Sequence, residues 1–431
     1  MRILLAHNSL YYPSYGGGDR SNRLLMEALA ARGHEVRVVA RVERFSPEEH
    51  DRQAEELCRR EVPYEEDSAG LRILLNGVQV FVVTRDPRLR AYFAGQVSEF
   101  DPEIILTSTD DPAHLLLEPA LRSRARVVYL VRAIIALPFG PDAAFPSASK
   151  TAAVCQADGM VAVSEYVAEY VRRFAYREAV HVPISLLDPG VRPFVGAFEN
   201  RFVTMVNPCA VKGISIFLEL ARRLPKVEFA AVPTWGTTAE DHETLGKLPN
   251  VSVLAPVDDI HGLMMQTKVA LVPSLWAEAR SRVILEAMVR GIPVMASQVG
   301  GLSEAKLGVD YLLPVNPVVR YRATVDHLMV PSAEIPPQEV APWLAALERL
   351  VTDRAHYEEI SKRSAEAARA YADGLSAAAF ESYLEKVLRS GRHRHRAAPA
   401  HHPKHSALPE KQRLLASRLR RRPRASNHKG E

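Results

Sequence analysis

The stretch PSLWAEARSRVILEAMVRGIPV, residues 273–294, decides the organisation of its half of the chain. It follows an apolar strand, Val269–Val272, and begins with a proline that ends that strand. A polar loop carrying Glu278 comes next, and then a helix that contains Glu286, with Gly291 as its stop signal. One carboxylate therefore lies on a loop at a strand end and the other inside the following helix, so both can face a ligand above the sheet.

Strands and helices alternate on both sides of this segment, which predicts an α/β protein with two doubly wound parallel sheets. The apolar runs lack the alternation of half-exposed strands, as expected for strands that are buried on both faces. The predicted strands are Arg2–Ala6, Val36–Ala40, Val78–Val83, Ile104–Thr107, Arg126–Val131, Met160–Val163, His181–Ile184, Arg201–Val206, Val227–Ala231, Val251–Leu254, Val269–Val272, Val294–Ala296 and Tyr311–Leu313.

Residues 188–200 are rich in proline and glycine and separate the two series of strands, which predicts an interdomain linker. We therefore assign residues 1–187 to a first Rossmann-like domain and residues 201–376 to a second. A helix over residues 377–390 follows, and residues 391–431 form a basic tail. Ligands of such sheets bind outside the carboxyl ends of the strands, so the site is expected in a cleft between the domains.

Composition agrees with a two-domain globular enzyme. The chain has 431 residues, of which 47% are hydrophobic and 25% charged. Three cysteines without metal-like spacing favour a reducing compartment. The most apolar run, Val127–Phe139, contains Arg132 and is too short to span a bilayer, and a strand starting at Arg2 favours the absence of a signal peptide. We expect a cytoplasmic protein.

The net charge of +4 conceals an uneven distribution. Residues 392–431 hold twelve Lys and Arg against two acidic residues, so the remainder of the chain is net negative. Large apolar side chains are scarce in this tail, which predicts disorder. The run Arg418–Arg424 is suited to an anionic partner or a membrane surface, which would make the protein peripheral at the membrane, or it is a plain solvated extension.

Several residues at predicted strand ends have side chains or backbones suited to a ligand. Gly16, Gly17 and Gly18 follow the first strand and open a helix, where backbone amides favour an anion. In the second domain Asn207 ends the first strand, and Lys212 precedes Gly213. Three further cleft candidates follow or adjoin strands of the first domain: His7, Arg132 and His114.

These motifs resemble the retaining glycosyltransferases of family 4, the glycosyl transferases group 1. The family has seven residues between two glutamates, as between Glu278 and Glu286, followed by a Gly-Ile-Pro-Val-like segment, and a Lys-Gly pair after the first strand of its second domain. The resemblance covers about residues 1–390. It implies the GT-B fold, in which two Rossmann-like domains face a cleft, and a final helix that crosses back to the first domain.

The resemblance also implies roles for individual residues. Glu278 and Lys212 would be catalytic: Glu278 would bind donor-sugar hydroxyls and Lys212 the donor phosphates. Donor binding would further involve Glu286 at the ribose hydroxyls, the backbone near Arg280 and Ser281, the Gly17 and Gly18 loop, and Asn207. Asn207 occupies the place of a family arginine, with Arg280 or Arg282 as a replacement cation, and Arg132 stands where the family commonly has a histidine.

The function implied is transfer of a sugar, with retention at the anomeric carbon, from a nucleotide-sugar donor to an unidentified acceptor. No bound cofactor is expected, and no metal, because Asp110 and Asp111 lack a completing set of ligands. Two alternatives stay open. One is a nucleotide-sugar epimerase of the same fold. The other is a non-catalytic sugar-nucleotide-binding protein, motivated by the departures at Asn207 and Arg132.

Overall fold

A computed structural model describes residues 1–14, 16–85, 88–184, 192–256, 260–325 and 331–391. In the first half of the chain the strands are β1 Arg2–Ala6, β2 Glu35–Arg41, β3 Tyr64–Glu66, β4 Gly70–Leu75, β5 Val78–Val83, β6 Ile104–Ser108, β7 Arg126–Val131, β8 Gly159–Ala162 and β9 Val180–His181. The helices there are α1 Gly17–Ala31, α2 Pro47–Arg59, α3 Leu89–Phe100, α4 Leu117–Arg122, α5 Ala148–Val154 and α6 Glu165–Ala175.

The second half continues the numbering. Its strands are β10 Phe202–Val206, β11 Glu228–Val232, β12 Val251–Val253, β13 Thr267–Val272, β14 Val294–Ser297, β15 Leu312–Leu313, β16 Arg320–Val325 and β17 Pro331–Glu334. Its helices are α7 Ile214–Arg223, α8 Ala239–Gly246, α9 Ile260–Gln266, α10 Arg282–Met288, α11 Leu302–Ala305, α12 Ala341–Thr352, α13 Arg354–Asp373 and α14 Ala377–Arg389, and a 3-10 turn spans Ala210–Lys212.

The first sheet has nine strands in the order β3-β4-β5-β2-β1-β6-β7-β8-β9. In this order, every strand from β5 through β2 and β1 to β9 is parallel to its neighbours in that part of the sheet. Apolar side chains cover both of its faces and form two clusters of buried residues. The strand order reverses at β1, which lies between β2 and β6. Loops that leave the carboxyl ends of β1, β6 and β7 therefore meet at one edge of the sheet, where doubly wound folds bind ligands.

The second sheet is parallel throughout, with the order β12-β11-β10-β13-β14-β15. Its order reverses at β10, which pairs with β13 through Val203 opposite Val269 and Thr204 opposite Ala270. The loops after β10 and β13 consequently emerge side by side, although they lie more than sixty residues apart in the chain. The prediction of two doubly wound parallel sheets is confirmed.

The last helix contacts the first sheet rather than the second. Phe380, Leu384 and Val387 of α14 are buried in the same cluster as the apolar residues of β1, β2 and β7. The hydroxyl of Tyr383 donates to the carbonyl of Met160 at 3.3 Å, and α14 also packs along α1. Residues 392–431, and with them the predicted disordered tail, lie outside the described residues, as do residues 188–191 of the predicted linker.

Two pairs of antiparallel strands had no counterpart in the sequence prediction. β3 and β4 extend the first sheet beyond β5, and β16 pairs with β17 in a separate ribbon. The predicted strand His181–Ile184 was placed wrongly, because strand pairing covers Val180–His181 only. Pro183 follows two residues after His181 and has no backbone N–H to continue the ladder. In the described part of the chain no helix is both long and apolar enough to cross a bilayer.

Candidate active site

A cleft of about 340 Å³ lies where the carboxyl ends of the two sheets face each other. The first domain lines it with the glycine loop and with the segment after β7, and the second domain with the loops after β10, β11 and β13. Its lining includes Gly16, Gly17, Gly18, Arg132, Asn207, Lys212, Glu278, Arg280 and Ser281. Most of the predicted donor-binding residues are therefore brought into one cavity.

Backbone geometry brings Lys212 into this cavity. After β10, Asn207 adopts a left-handed conformation with φ of 59°, and a 3-10 turn ends at Lys212. Gly213 follows with φ of 85°, and a Cβ there would lie 2.1 Å from the carbonyl oxygen of Pro273. Only glycine permits that approach, so the loops after β10 and β13 come into direct backbone contact. This contact sets Lys212 beside the loop that carries Glu278.

Lys212 and Glu278 form an ion pair through the ammonium nitrogen and the carboxylate Oε1. Ser274 Oγ donates to the same oxygen at 2.8 Å, and Glu278 is buried. Burial alone would raise the pKa of Glu278, but the adjacent Lys212 charge and the hydrogen bonds to the carboxylate bring that pKa below its usual value. The carboxylate is thus held ionised at the cleft wall at neutral pH.

The loop carrying Glu278 is clamped against the glycine pair at 300–301. Gly301 N donates to the carbonyl of Glu278 at 2.7 Å, and a Cβ at Gly300 would lie 2.5 Å from that same oxygen. On its other side the loop meets the first domain, where Ser164 Oγ donates to the carbonyl of Ala279 at 2.7 Å. The position of Glu278 is therefore set by both domains.

A second contact between the domains runs through Glu304 of α11. Its carboxylate accepts hydrogen bonds from the backbone N–H groups of Glu165 at 2.9 Å and Tyr166 at 2.5 Å, which begin α6 in the first domain. An acidic side chain from the second domain thus occupies the N-terminus of a first-domain helix, where the helix dipole favours a negative charge.

The arginines of the glutamate segment are engaged within the protein. The side chain of Arg280 is buried and stacks at 4.7 Å over the ring of Tyr371, with Nη1 3.8 Å from Glu304 Oε2. Arg282 Nε lies 2.8 Å from Glu286 Oε1, and both side chains are buried. Glu286 stands one turn into α10, behind the residues that line the cleft, and Ser281 is the N-cap residue of that helix. The ribose-binding role of Glu286 stays a prediction.

Asn207 has a structural role in its loop for which asparagine is better suited than arginine. Asparagine tolerates the left-handed conformation, and its Oδ1 accepts a hydrogen bond from Gly236 N at 3.0 Å. This bond ties the loop after β11 to the loop after β10. The amide Nδ2 is buried, has no hydrogen-bond partner among the described residues, and belongs to a residue that lines the cleft. Its binding to a donor phosphate stays a prediction.

Two of the three first-domain candidates lie outside the cleft lining. His7 is fully buried, with Nδ1 3.1 Å from Asp110 and Nε2 3.4 Å from Asp19. Burial lowers the pKa of His7, but the two carboxylates outweigh it and the pKa is raised. His114 is also buried, and burial together with Lys150 lowers its pKa to about 4. Arg132 alone of the three lines the cleft.

Two tryptophans of the cleft wall escaped the sequence analysis. Trp276 lies in the glutamate segment, with Lys212 Nζ 4.9 Å from the centre of its ring. Trp235 follows β11, and the two indole rings are 6.1 Å apart. The position of Trp235 just past a strand end was the available signal, since such loops meet at the switch point of the sheet.

The acidic pair Asp110 and Asp111 is used for structure. Asp111 accepts three backbone hydrogen bonds, from Leu115, Leu116 and Leu117, at 2.8 to 3.1 Å. Asp110 accepts from Asn8 N at 2.7 Å and pairs with His7. Among the described residues, no group of three or more His, Cys, Asp or Glu side chains could hold a metal ion.

Comparison with known proteins agrees with this architecture. Residues 15–184 match the family model described as Glycosyltransferase Family 4, and residues 201–330 match the model described as Glycosyl transferases group 1. The chain has the two domains of a GT-B glycosyltransferase. The prediction of the GT-B fold is confirmed, the predicted resemblance to family 4 is supported by the match over residues 15–184, and neither of the alternative functions is favoured by these matches.

Relatives of this glycosyltransferase are distant. An uncharacterized 42.6 kDa protein from the cps region of Klebsiella pneumoniae is 23% identical over 334 residues, covering 70% of this chain and 87% of that protein. Sucrose-phosphate synthase from Thermosynechococcus elongatus has a TM-score of 0.64 at 17% identity, over 90% of this chain and 98% of the other. Anabaena HepE in complex with UDP-glucose has a TM-score of 0.58 at 15% identity, over 90% and 99%. The two structures show the shared fold.

Proposed function

We propose that this protein is a metal-independent retaining glycosyltransferase that moves a sugar, a hexose or a related unit, from a nucleotide-sugar donor to an acceptor. The observation that carries the proposal is the Lys212–Glu278 pair at two neighbouring strand ends, in one cleft with Gly17 and Gly18. The family matches and the crystallisation of HepE with UDP-glucose support a nucleotide sugar as the donor.

The pair is suited to a donor with a diphosphate and a hydroxylated sugar. Lys212 would exchange part of its contact with Glu278 for a phosphate oxygen and stabilise the charge that develops on the departing nucleotide. The hydrogen bonds from Lys212 and Ser274 both go to Oε1 of Glu278, and we assign the sugar hydroxyls to Oε2. Glu286 would bind the ribose hydroxyls and release Arg282 in doing so.

In the proposed reaction the protein supplies position and charge rather than a nucleophile. The acceptor hydroxyl attacks the anomeric carbon on the face that the leaving diphosphate vacates, and a donor phosphate oxygen takes its proton. The anomeric configuration is therefore retained. Lys212, Glu278 and the domain contacts are expected to make two contributions. They hold both substrates in one closed cleft, and they fix a cation at the leaving group.

A donor screen tests the proposal. The wild type and Glu286→Ala are examined by thermal shift with UDP, GDP, ADP and dTDP sugars, and the donor that stabilises the wild type selectively is then incubated with the enzyme. Lys212→Met should reduce turnover of that donor by about 10²–10³-fold, the effect of losing one charge-stabilising group. Lys247→Met is the matched control, because that lysine pairs with Glu243 on the surface of α8.

Two outcomes would contradict the proposal. One is the absence of stabilisation by any nucleotide sugar, and the other is unchanged turnover in Lys212→Met. Retention is checked separately, by proton NMR of the anomeric configuration in the first product formed. Unchanged turnover in the presence of excess EDTA is expected for a reaction that needs no metal.

A further inference from the structure

The cationic side chains that line the cleft differ in whether a carboxylate neutralises them. Four cations line it, and three of them have an acidic side chain within 4.0 Å: Lys212 has Glu278, Arg282 has Glu286 and Arg280 has Glu304. The fourth is Arg132, and among the described residues no carboxylate lies within 4.0 Å of its guanidinium. Arg132 is therefore the cation of this cleft at which an anionic group of a substrate would gain the most electrostatic stabilisation.

Arg132 is held along one edge only. Its Nε donates to Asn22 Oδ1 at 2.9 Å, and its backbone N–H donates to Thr109 Oγ1 at 3.1 Å. The terminal nitrogens Nη1 and Nη2 are buried and make no hydrogen bond to the described part of the chain. A buried donor without an acceptor is costly, and an uncompensated charge more so, which calls for an explanation beyond folding.

The acidic group that acts on the charge of Arg132, Asp110, does not supply that explanation. Asp110 acts on Arg132 through space, but its carboxylate is occupied by His7 and by the backbone N–H of Asn8. Burial lowers the pKa of Arg132 to about 9, with Asp110 opposing the shift, so the guanidinium is still charged at pH 7. An ionised group with two free N–H edges in a region of low dielectric is a strong site for a planar or tetrahedral anion.

The surroundings of Arg132 point to the same kind of ligand. Its Cβ lies 3.7 Å from the position that a side chain at Gly18 would take, and Asn22, which orients it, is one turn further along α1. The N-cap residue Gly16 has no side chain with which to cap the first amides of this fifteen-residue helix. The acid of the first turn, Asp19, accepts from Ser9 Oγ at 2.7 Å and from the backbone N–H of Gly16, and it lies 3.4 Å from His7 Nε2. The glycine loop that begins α1 and the Arg132 side chain thus line one part of the cleft wall.

We propose that Arg132 is a donor-binding residue that takes an anionic group of the nucleotide sugar, with two oxygens accepting from Nη1 and Nη2. The inference rests on the proposed function, because it takes a nucleotide sugar as the occupant of the cleft. Every such donor carries a diphosphate, and some also carry a carboxylate on the sugar. In either case the ligand contacts Arg132 of the first domain and Lys212 of the second, so that donor binding draws the two domains together.

Isothermal titration calorimetry on the full chain tests this assignment. The variants are Arg132→Met, which keeps the length of the side chain without its charge, and Arg132→Lys. The control is Arg41→Met, since Arg41 also donates to an asparagine, Asn8, at 2.7 Å, but its Nη1 is satisfied by the carbonyls of Val42 and Glu43. The probes are UDP, GDP, ADP and dTDP, and the pairs UDP-glucose with UDP-glucuronate and GDP-mannose with GDP-mannuronate.

We expect Arg132→Met to weaken binding by about 10- to 100-fold, as for the loss of hydrogen bonds to a charged group. Arg132→Lys should recover part of the affinity, and Arg41→Met should bind as the wild type does. An equal loss for free nucleotides and for all nucleotide sugars identifies the diphosphate as the ligand. A loss confined to the uronates identifies the sugar carboxylate.

Two results would overturn the assignment, and they are distinguishable. If the wild type binds a nucleotide and Arg132→Met binds it within twofold, Arg132 has no part in recognition while the proposed function stands. If the wild type binds none of these nucleotides or nucleotide sugars, the proposed function fails and the role of Arg132 fails with it.

Discussion

Glu304→Ala is expected to loosen the contact between the two domains and to slow turnover, while nucleotide binding is largely retained. Glu304 accepts two hydrogen bonds from the first amides of α6, at 2.9 Å and 2.5 Å, and lies 3.8 Å from Arg280. The alanine variant leaves those amides uncapped and the buried Arg280 without its carboxylate. Because α6 belongs to the first domain and Glu304 to the second, losing these contacts destabilises the closed arrangement of the two domains.

The size of the effect follows from these contacts. Hydrogen bonds to a charged group contribute about 1.5–3 kcal/mol each, and loss of a helix cap typically costs about 1 kcal/mol. The side chain of Glu304 is 30% exposed, so solvent screening reduces the sum. We take roughly 2 kcal/mol for the contact as a whole. That value shifts an open–closed equilibrium by about 30-fold, which bounds the expected fall in turnover.

Small-angle X-ray scattering of the full chain, with and without saturating nucleotide, measures the opening directly, and donor turnover measures its consequence. Glu304→Gln keeps one acceptor oxygen and should be intermediate. Glu165→Gln is the matched control, since its carboxylate pairs with Arg172 inside the first domain. The reasoning is refuted if Glu304→Ala scatters like the wild type and turns over its donor at the same rate.

Four further substitutions test other parts of the structure. His114→Asn should reduce the loss of stability at acid pH. The pKa of His114 is about 4 in the folded protein and about 6.5 in the unfolded chain, so its contribution of about 3 kcal/mol in all is present above pH 6.5 and lost as the pH falls toward 4. Urea unfolding at pH 7 and at pH 5 measures the difference. Gly213→Ala should cost at least about 2 kcal/mol in the same assay and abolish nucleotide binding, because its methyl group would meet the carbonyl of Pro273 at 2.1 Å; a methyl group at Gly246 meets nothing within 4 Å, which makes Gly246→Ala the control. Asn207→Ala should cost about 1–2 kcal/mol through the lost hydrogen bond to Gly236 and the left-handed backbone; thermal denaturation indistinguishable from the wild type would argue against that role. Phe380→Ala should cost about 3–5 kcal/mol, as for a fully buried aromatic ring, and a much smaller loss would mean that α14 is not anchored on the first sheet.

Local sequence patterns predicted most of the regular structure. The strands predicted at Val78–Val83 and Arg126–Val131 have the same bounds in the structure, because each contains a continuous run of buried residues, Val80–Val83 and Val127–Val131, that is followed directly by a polar residue. The short edge strands β3 and β17 escaped prediction, since Tyr64–Glu66 and Pro331–Glu334 carry little apolar signal and are strands only because a partner strand lies beside them.

The sequence alone determined the alternation of strands and helices, the two-domain organisation and the spacing of the glutamates, because these depend on neighbours within a few residues. It placed Lys212 and Glu278 at strand ends, but their ion pair required β10 and β13 to be adjacent in the sheet, which only the order of the strands decides. The same holds for the arginines. Whether a carboxylate neutralises a given arginine, or none lies near it as for Arg132 among the described residues, depends on side chains that are far away in the sequence or one helical turn away. Those contacts form only through tertiary packing, so a local sequence pattern cannot predict them.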